Sequence, residues 1–117
     1  MNILIVNDSK LLREVLKTML ESLGYTSIFE AANGMEAITK THAVKPEIIF
    51  MNLIMPEMDG YEATKEILGT YAATKIVMMS TSSFSETPLS KSNLNIYDYV
   101  SIPFNKNRIK KILNEKD

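Results

Sequence analysis

The chain has 117 residues, a length that suits one domain with a hydrophobic core of its own. Its 13 basic and 14 acidic side chains nearly cancel, which argues against general binding to nucleic acid or anionic membranes. It contains no cysteine and one histidine, so disulfides, thiolate metal sites, zinc clusters and histidine-based catalytic triads are excluded. Because the sequence shows neither a signal-peptide pattern nor an apolar run of the roughly 20 residues that cross a membrane, we expect a cytoplasmic protein.

Short runs of β-branched and aliphatic residues alternate with segments in which apolar residues recur at helical spacing. The runs predict five strands, at 3–6, 27–31, 48–51, 75–79 and 97–102. The spaced segments predict five helices, at 12–23, 35–43, 60–68, from 87 onward, and at 106–113. The fourth of these helices lies in a segment rich in Ser and Thr, where Thr87 would be the N-cap and Pro88 the first helical residue.

Alternation of strand and helix is typical of a parallel α/β sheet, because each return to a parallel strand needs a crossover helix. The fold that we predict is flavodoxin-like: a doubly wound, five-stranded parallel sheet with five helices, arranged in three α/β/α layers. In this prediction the whole chain, residues 1–117, forms one domain.

Polar side chains follow three of the predicted strands. Asn7-Asp8-Ser9 come after the first strand, Asn52 after the third and Ser80-Thr81 after the fourth. In a flavodoxin-like strand order these three strands are neighbours, so the polar groups would converge on one pocket at the carboxyl edge of the sheet. Each residue alone could instead cap the helix or turn that follows it. Together they favour a binding or catalytic site.

Five stretches of the sequence form a combined motif: ILIVNDS, AANGMEA, PEIIFMNLIMPEMDG, KIVMMSTS and YDYVSIPF. Over essentially the whole chain, this motif resembles the CheY-like receiver domains of two-component response regulators. The resemblance implies a site in which an aspartate after the third strand accepts a phosphoryl group from a histidine kinase. It also implies a magnesium ion held by that aspartate and by acids after the first strand, and a lysine that pairs with the phosphoryl group.

The site that the resemblance implies is altered in three places. Asn7 and Asp8 stand where the family has a pair of acids, Asn52 stands at the phosphoacceptor position, and Ile102 replaces the lysine before Pro103. Three aspartates and one lysine give the family site a formal charge of −2, whereas Asp8 alone gives −1 here. We therefore expect no cofactor, or at most weak binding of Mg²⁺ through Asp8, because this ion prefers several anionic oxygen ligands.

The residues with which the family transmits its signal are present. By resemblance, Ser80 supplies the switch hydroxyl and Tyr99 the switch aromatic side chain. Tyr99, Phe104 and the last helix would form the surface that binds a protein partner, such as a histidine kinase, a phosphotransfer protein or a downstream target. The resemblance also implies a cis peptide bond before Pro103, the one context in which a cis bond costs little.

Three interpretations compete for Asn52. The first is a pseudo-receiver, a non-enzymatic module that signals by protein–protein interaction without accepting phosphate. The second is a conventional phosphoaccepting receiver that carries an engineered change of aspartate to asparagine. The third, a phosphatase-like hydrolase with Asp8 as nucleophile, lacks a second acid two residues on, where the chain has Lys10. One engineered change would not explain Asn7 or Ile102, and a buried lysine is costly without its anionic partner, so the sequence favours the pseudo-receiver.

Overall fold

The computed structural model describes residues 1–114. Its five parallel strands form one sheet in the order β2-β1-β3-β4-β5, with β1 at Ile3–Val6, β2 at Ile28–Ala31, β3 at Ile48–Asn52, β4 at Lys75–Ser80 and β5 at Asp98–Ser101. Four α-helices accompany the sheet within these residues: α1 at Lys10–Ser22, α2 at Gly34–Val44, α3 at Gly60–Thr70 and α4 at Lys106–Asn114. None of these helices is long and apolar enough to cross a membrane. The strand order is the flavodoxin-like order that the sequence predicted.

The central strands supply two separate cores, because successive side chains along a strand point to opposite faces of the sheet. On one face, Ile5 and Phe50 pack with apolar residues of α1 and α4. On the other face, Leu4 and Met51 pack with apolar residues of α2 and α3. The sheet is therefore the middle of three layers, as predicted, and burial on both faces explains the continuous apolar runs of β1 and β3.

Each of the four α-helices within residues 1–114 begins at a side chain that caps it; for α4 this is Asn105, whose Oδ1 accepts from the backbone N–H of Arg108 at 3.1 Å. Ser9, Asn33 and Asp59 each accept a hydrogen bond from the backbone N–H three residues further on, at 3.2, 2.8 and 2.9 Å. These caps hold the first turns of α1, α2 and α3 at the carboxyl edge of the sheet, since each helix follows a strand that ends there. At the other end of α1, Gly24 has a positive φ of 98°, which suits the glycine expected after a helix.

The prediction of a fourth helix beginning at Thr87-Pro88 is wrong. Two short 3-10 turns, Phe84–Glu86 and Pro88–Lys91, stand in its place. Thr87, Ser90 and Ser92 each donate their hydroxyl to the backbone carbonyl three residues back, at 2.8, 3.0 and 3.0 Å. Each of these carbonyls also accepts the backbone N–H of the same residue, which is the bonding pattern of a 3-10 turn. The hydroxyls thus add to the 3-10 bonds, and the described residues contain four α-helices instead of the predicted five.

Candidate functional site

The polar ends of β1, β3 and β4 meet at the carboxyl edge of the sheet. Within the sheet Val6 is paired with Met51, and Asn52 with Met79, so the residues that follow these strands lie side by side. The structure brings Asp8 and Asn52 into contact, although 44 positions separate them in the chain. The predicted convergence is therefore present for Asp8 and Asn52, and Ser80 directly follows Met79, the sheet partner of Asn52.

The side-chain amide of Asn52 donates two hydrogen bonds. Its Nδ2 lies 2.8 Å from the carbonyl oxygen of Ile54 and 3.4 Å from Oδ1 of Asp8. The first distance is that of an ordinary hydrogen bond, and the second lies at the outer limit of one. Asp8 is exposed and Asn52 is half-buried, so this contact lies at the part of the site that solvent can reach.

Asn7 lies deeper than its neighbour Asp8, with only 1% of its surface exposed. Its Oδ1 accepts a hydrogen bond from the backbone N–H of Ser9 at 2.9 Å, and its carbonyl oxygen accepts one from Nη1 of Arg13 at 2.7 Å. Arg13 in turn donates to Glu30 at 3.0 Å, which ties the end of β1 to α1 and β2. The Nδ2 group of Asn7 is buried without a hydrogen-bond partner among residues 1–114. A neutral amide in this position costs less to bury than an unpaired carboxylate would.

Ile102 stands at the position of the expected lysine. Its side chain is half-buried and packs against the core on the α1 and α4 face of the sheet. Its backbone N–H donates to the carbonyl oxygen of Ser80 at 2.8 Å, and the Ile102–Pro103 peptide bond is cis, as the resemblance implied. An aliphatic side chain here extends the core and offers no charge to the site.

Ser80 and Tyr99 both form hydrogen bonds with the backbone of Ser82, a residue for which the sequence predicted no role. Ser80 Oγ accepts a hydrogen bond from the N–H of Ser82 at 3.1 Å, and the hydroxyl of Tyr99 donates to the carbonyl oxygen of Ser82. The ring of Phe84 packs edge-on against Tyr99, with ring centroids 5.4 Å apart. The two predicted switch side chains are therefore parts of one hydrogen-bonded unit at the end of β4.

Tyr99 and Phe104 do not share one face of the sheet. Tyr99 packs against the core on the α2 and α3 side, whereas Phe104 packs against the core on the α1 and α4 side. Arg108 of α4 links the two sides, because its Nη2 donates to Oδ1 of Asp98 at 2.6 Å and to the carbonyl oxygen of Tyr99 at 3.3 Å. The three parts of the surface predicted from sequence, Tyr99, Phe104 and the last helix, thus lie around the edge strand β5, and Arg108 of that helix bonds to β5.

The donors around Asp8 do not match the preferences of Mg²⁺, which takes anionic and carbonyl oxygens in octahedral geometry. Asp8 faces the N–H groups of Asn52 where a second carboxylate would be required. An N–H group cannot coordinate a cation. Within residues 1–114 no three His, Cys, Asp or Glu side chains are grouped so that they could hold a metal ion.

A family model described as the response regulator receiver domain matches residues 3–114 of the chain. The chain belongs to the response regulator receiver family. This receiver domain is 34% identical over 113 residues to the chemotaxis protein CheY of Thermotoga maritima, covering 97% of this chain and 94% of the relative. It is 32% identical over 113 residues to the chemotaxis protein CheY of Bacillus subtilis, with the same coverage of 97% and 94%.

Solved structures similar to this receiver domain include the chemotaxis response regulator CheY4 of Vibrio cholerae. That structure superposes with a TM-score of 0.86 at 28% identity, and the match covers 97% of this chain and 95% of the other. The receiver domain of the sensor histidine kinase PA1611 from Pseudomonas aeruginosa, which has a magnesium ion coordinated in its active-site cleft, has a TM-score of 0.83 at 26% identity, covering 97% and 93% of the two chains. The fold and the family are thus those that the five sequence stretches indicated, and the chain is a receiver domain of two-component signalling.

Proposed function

We propose that this receiver domain is a protein-interaction module that signals without accepting a phosphoryl group at residue 52 and without a metal cofactor. The observation that carries the proposal is the state of the Asn52 side chain. A phosphoacceptor needs an anionic oxygen as nucleophile. Asn52 offers an amide instead, and its nitrogen donates to Asp8 and to the carbonyl oxygen of Ile54.

Two further residues support the proposal. Phosphoryl transfer depends on positive groups that stabilise the charge of the transferring group. Ile102 packs its aliphatic side chain against a hydrophobic core in the place where a lysine would supply that charge. Asn7 is almost fully buried and neutral, so the site lacks a second carboxylate for a metal ion.

Receiver domains act through proteins such as kinases and effectors. We place the partner of this domain at the rim around β5, where Tyr99 lies on one side and α4 on the other. The outer surface of α4 carries the exposed lysines Lys106, Lys110 and Lys111. A histidine kinase, phosphotransfer protein or downstream target with an acidic contact surface fits this charge.

The decisive experiment compares three proteins incubated with acetyl phosphate and Mg²⁺ and then weighed by intact-mass spectrometry. They are the natural chain, the single variant Asn52→Asp, and the triple variant Asn7→Asp/Asn52→Asp/Ile102→Lys. We expect no phosphoryl adduct on the natural chain, little or none on the single variant, and a clear adduct on the triple variant. The triple variant alone restores the nucleophile, the acid pair and the stabilising ammonium together.

Thermal unfolding of all three proteins checks that each is folded under the labelling conditions. Strong labelling of the single variant would contradict the proposal and favour a conventional receiver with one changed residue. The partner surface is tested separately by binding of candidate kinases to a Lys110→Glu variant. A Lys65→Glu variant on the exposed surface of α3 is the matched control for the change of charge.

A further inference from the structure

The segment that joins β3 to α3, residues 53–59, is held at its start by the Asn52 side chain. One amide nitrogen contacts an oxygen of the loop after β1, Asp8 Oδ1, and an oxygen of the loop after β3, the Ile54 carbonyl. Both acceptors carry negative charge or partial negative charge, so they would repel each other if nothing positive lay between them. The two polarised hydrogens of the Asn52 amide point to these two oxygens and carry the partial positive charge between them.

We infer that the amide of Asn52 is a built-in substitute for a bound divalent cation. It performs the structural part of a cation's role, which is to draw a carboxylate and a carbonyl oxygen from two loops toward one point. This inference rests on the proposed function, because it explains how a receiver site can be ordered when its donors do not fit Mg²⁺. In this role Asn52 is a positioning residue for the loop that carries the exposed side chain of Ile54.

The Asn52 amide also determines how this loop responds to cations. A loop that depends on a metal ion is ordered only when the ion is present, whereas a loop held by a covalently attached amide is ordered at any cation concentration. The arrangement of residues 53–59 in this domain is therefore independent of cations. A partner that contacts this edge of the sheet would meet the same surface with or without magnesium.

Two substitutions at residue 52 distinguish the effect of the amide's N–H donors from the effect of the side chain's size. Asn52→Asp has nearly the same size but replaces the N–H donors with an oxygen that faces Asp8 and the Ile54 carbonyl. Three oxygens then converge, and the repulsion is relieved only by a cation. Asn52→Ala removes the donors and creates no new ligand, so a cation cannot restore the loop.

The experiment measures melting temperatures of the natural chain, Asn52→Asp and Asn52→Ala, first with a chelator and then with about 10 mM Mg²⁺, a concentration well above the roughly 1 mM affinity typical of weak oxygen sites. We expect no effect of Mg²⁺ on the natural chain. Asn52→Asp should melt about 4 °C lower in chelator and regain most of that loss with Mg²⁺, whereas Asn52→Ala should melt lower in both conditions. The double variant Asp8→Asn/Asn52→Asp should lose the response to Mg²⁺.

Three results would overturn the inference: a natural chain whose melting temperature rises with Mg²⁺ as much as that of Asn52→Asp, an Asn52→Asp variant as stable as the natural chain in chelator, or an Asn52→Ala variant with no loss. If a variant at residue 52 fails to fold, NMR of the natural chain and of Asp8→Asn gives an independent test. The side-chain amide resonances of Asn52 should shift when Asp8 is neutralised, and unchanged resonances would refute the contact. Phosphoryl labelling of Asn52→Asp tests the proposed function and leaves these stability measurements unaffected.

Discussion

The α-carbon of Gly60 lies against the carbonyl oxygen of Asn52, so closely that a methyl group added at Gly60 would sit 2.2 Å from that oxygen. The backbone N–H of Gly60 also donates to the carbonyl oxygen of Leu53 at 2.8 Å. The first turn of α3 is thus packed directly onto the end of β3. This contact sets the position of the residue around which the site is built, and it explains why a glycine follows the helix cap Asp59.

Gly60→Ala should destabilise the domain by about 1–3 kcal/mol, because the new methyl group overlaps a backbone atom that cannot move without displacing β3. Gly69→Ala is the matched control in the same helix, since a methyl group there has no neighbouring atom within 4 Å. The control should be stabilising by up to about 1 kcal/mol, the usual gain of Ala over Gly in a helix. Urea unfolding of both variants measures these values. Equal effects of the two substitutions would contradict the close packing at Gly60.

Arg13→Met should cost about 2 kcal/mol, because Arg13 donates both to the carbonyl oxygen of Asn7 and to Glu30 from a side chain that is only 15% exposed. Lys17→Met is the control on the same carboxylate. Lys17 lies 3.8 Å from Glu30 with 41% of its side chain exposed, so its loss should cost less than about 1 kcal/mol. Arg13→Lys should not restore stability, because an ammonium cannot reproduce the fork of a guanidinium. Chemical denaturation distinguishes the three variants.

Tyr99→Phe should lower the melting temperature by about 4 °C, the effect of losing roughly 1 kcal/mol in a domain of this size. The substitution removes the hydroxyl that donates to the Ser82 carbonyl and keeps the ring that packs against Phe84. Hydrogen exchange should accelerate in the segment after β4, where Ser82 lies. Tyr25→Phe is the control, since the hydroxyl of Tyr25 makes no hydrogen bond within residues 1–114. A Tyr99→Phe variant as stable as its control would show that the hydrogen bond to Ser82 does not stabilise the fold.

Glu86 should show a pKa below its ordinary value of 4.5, because its carboxylate accepts hydrogen bonds first from the hydroxyl and then from the backbone N–H of Ser83. A pKa that is lower in the folded state stabilises the fold at pH values above the unfolded pKa, and this contribution disappears as the pH falls through the folded pKa. The Ser83→Ala variant removes the stronger cause, so the Glu86 pKa should rise toward 4.5. Carboxyl NMR titration measures both proteins. An unchanged pKa in the variant would exclude the hydroxyl as the cause.

The amino-acid sequence determined the order of the five strands and of the four α-helices that form, the parallel sheet and the family. These features depend on local patterns: apolar runs of strand length, helical spacing, and capping residues such as Ser9, Asn33 and Asp59. The departures at Asn7, Asn52 and Ile102 were also visible in the sequence, because they are residue identities at motif positions.

Only the tertiary structure decided what those residues contact. The bond from Asn52 to Asp8 joins positions 44 apart, and the approach of Gly60 to Asn52 depends on how α3 packs against the sheet. In the 3-10 turns after β4, the hydroxyls of Thr87, Ser90 and Ser92 bond to the same carbonyls as their backbone N–H groups, a pattern that the spacing of apolar residues does not reveal. Tyr99 and Phe104 fall on opposite faces because a side chain's face is set by its place in the strand and in the turn after it. Contacts made across the fold decide the chemistry of the site, whereas local sequence patterns decide the scaffold that brings the site together.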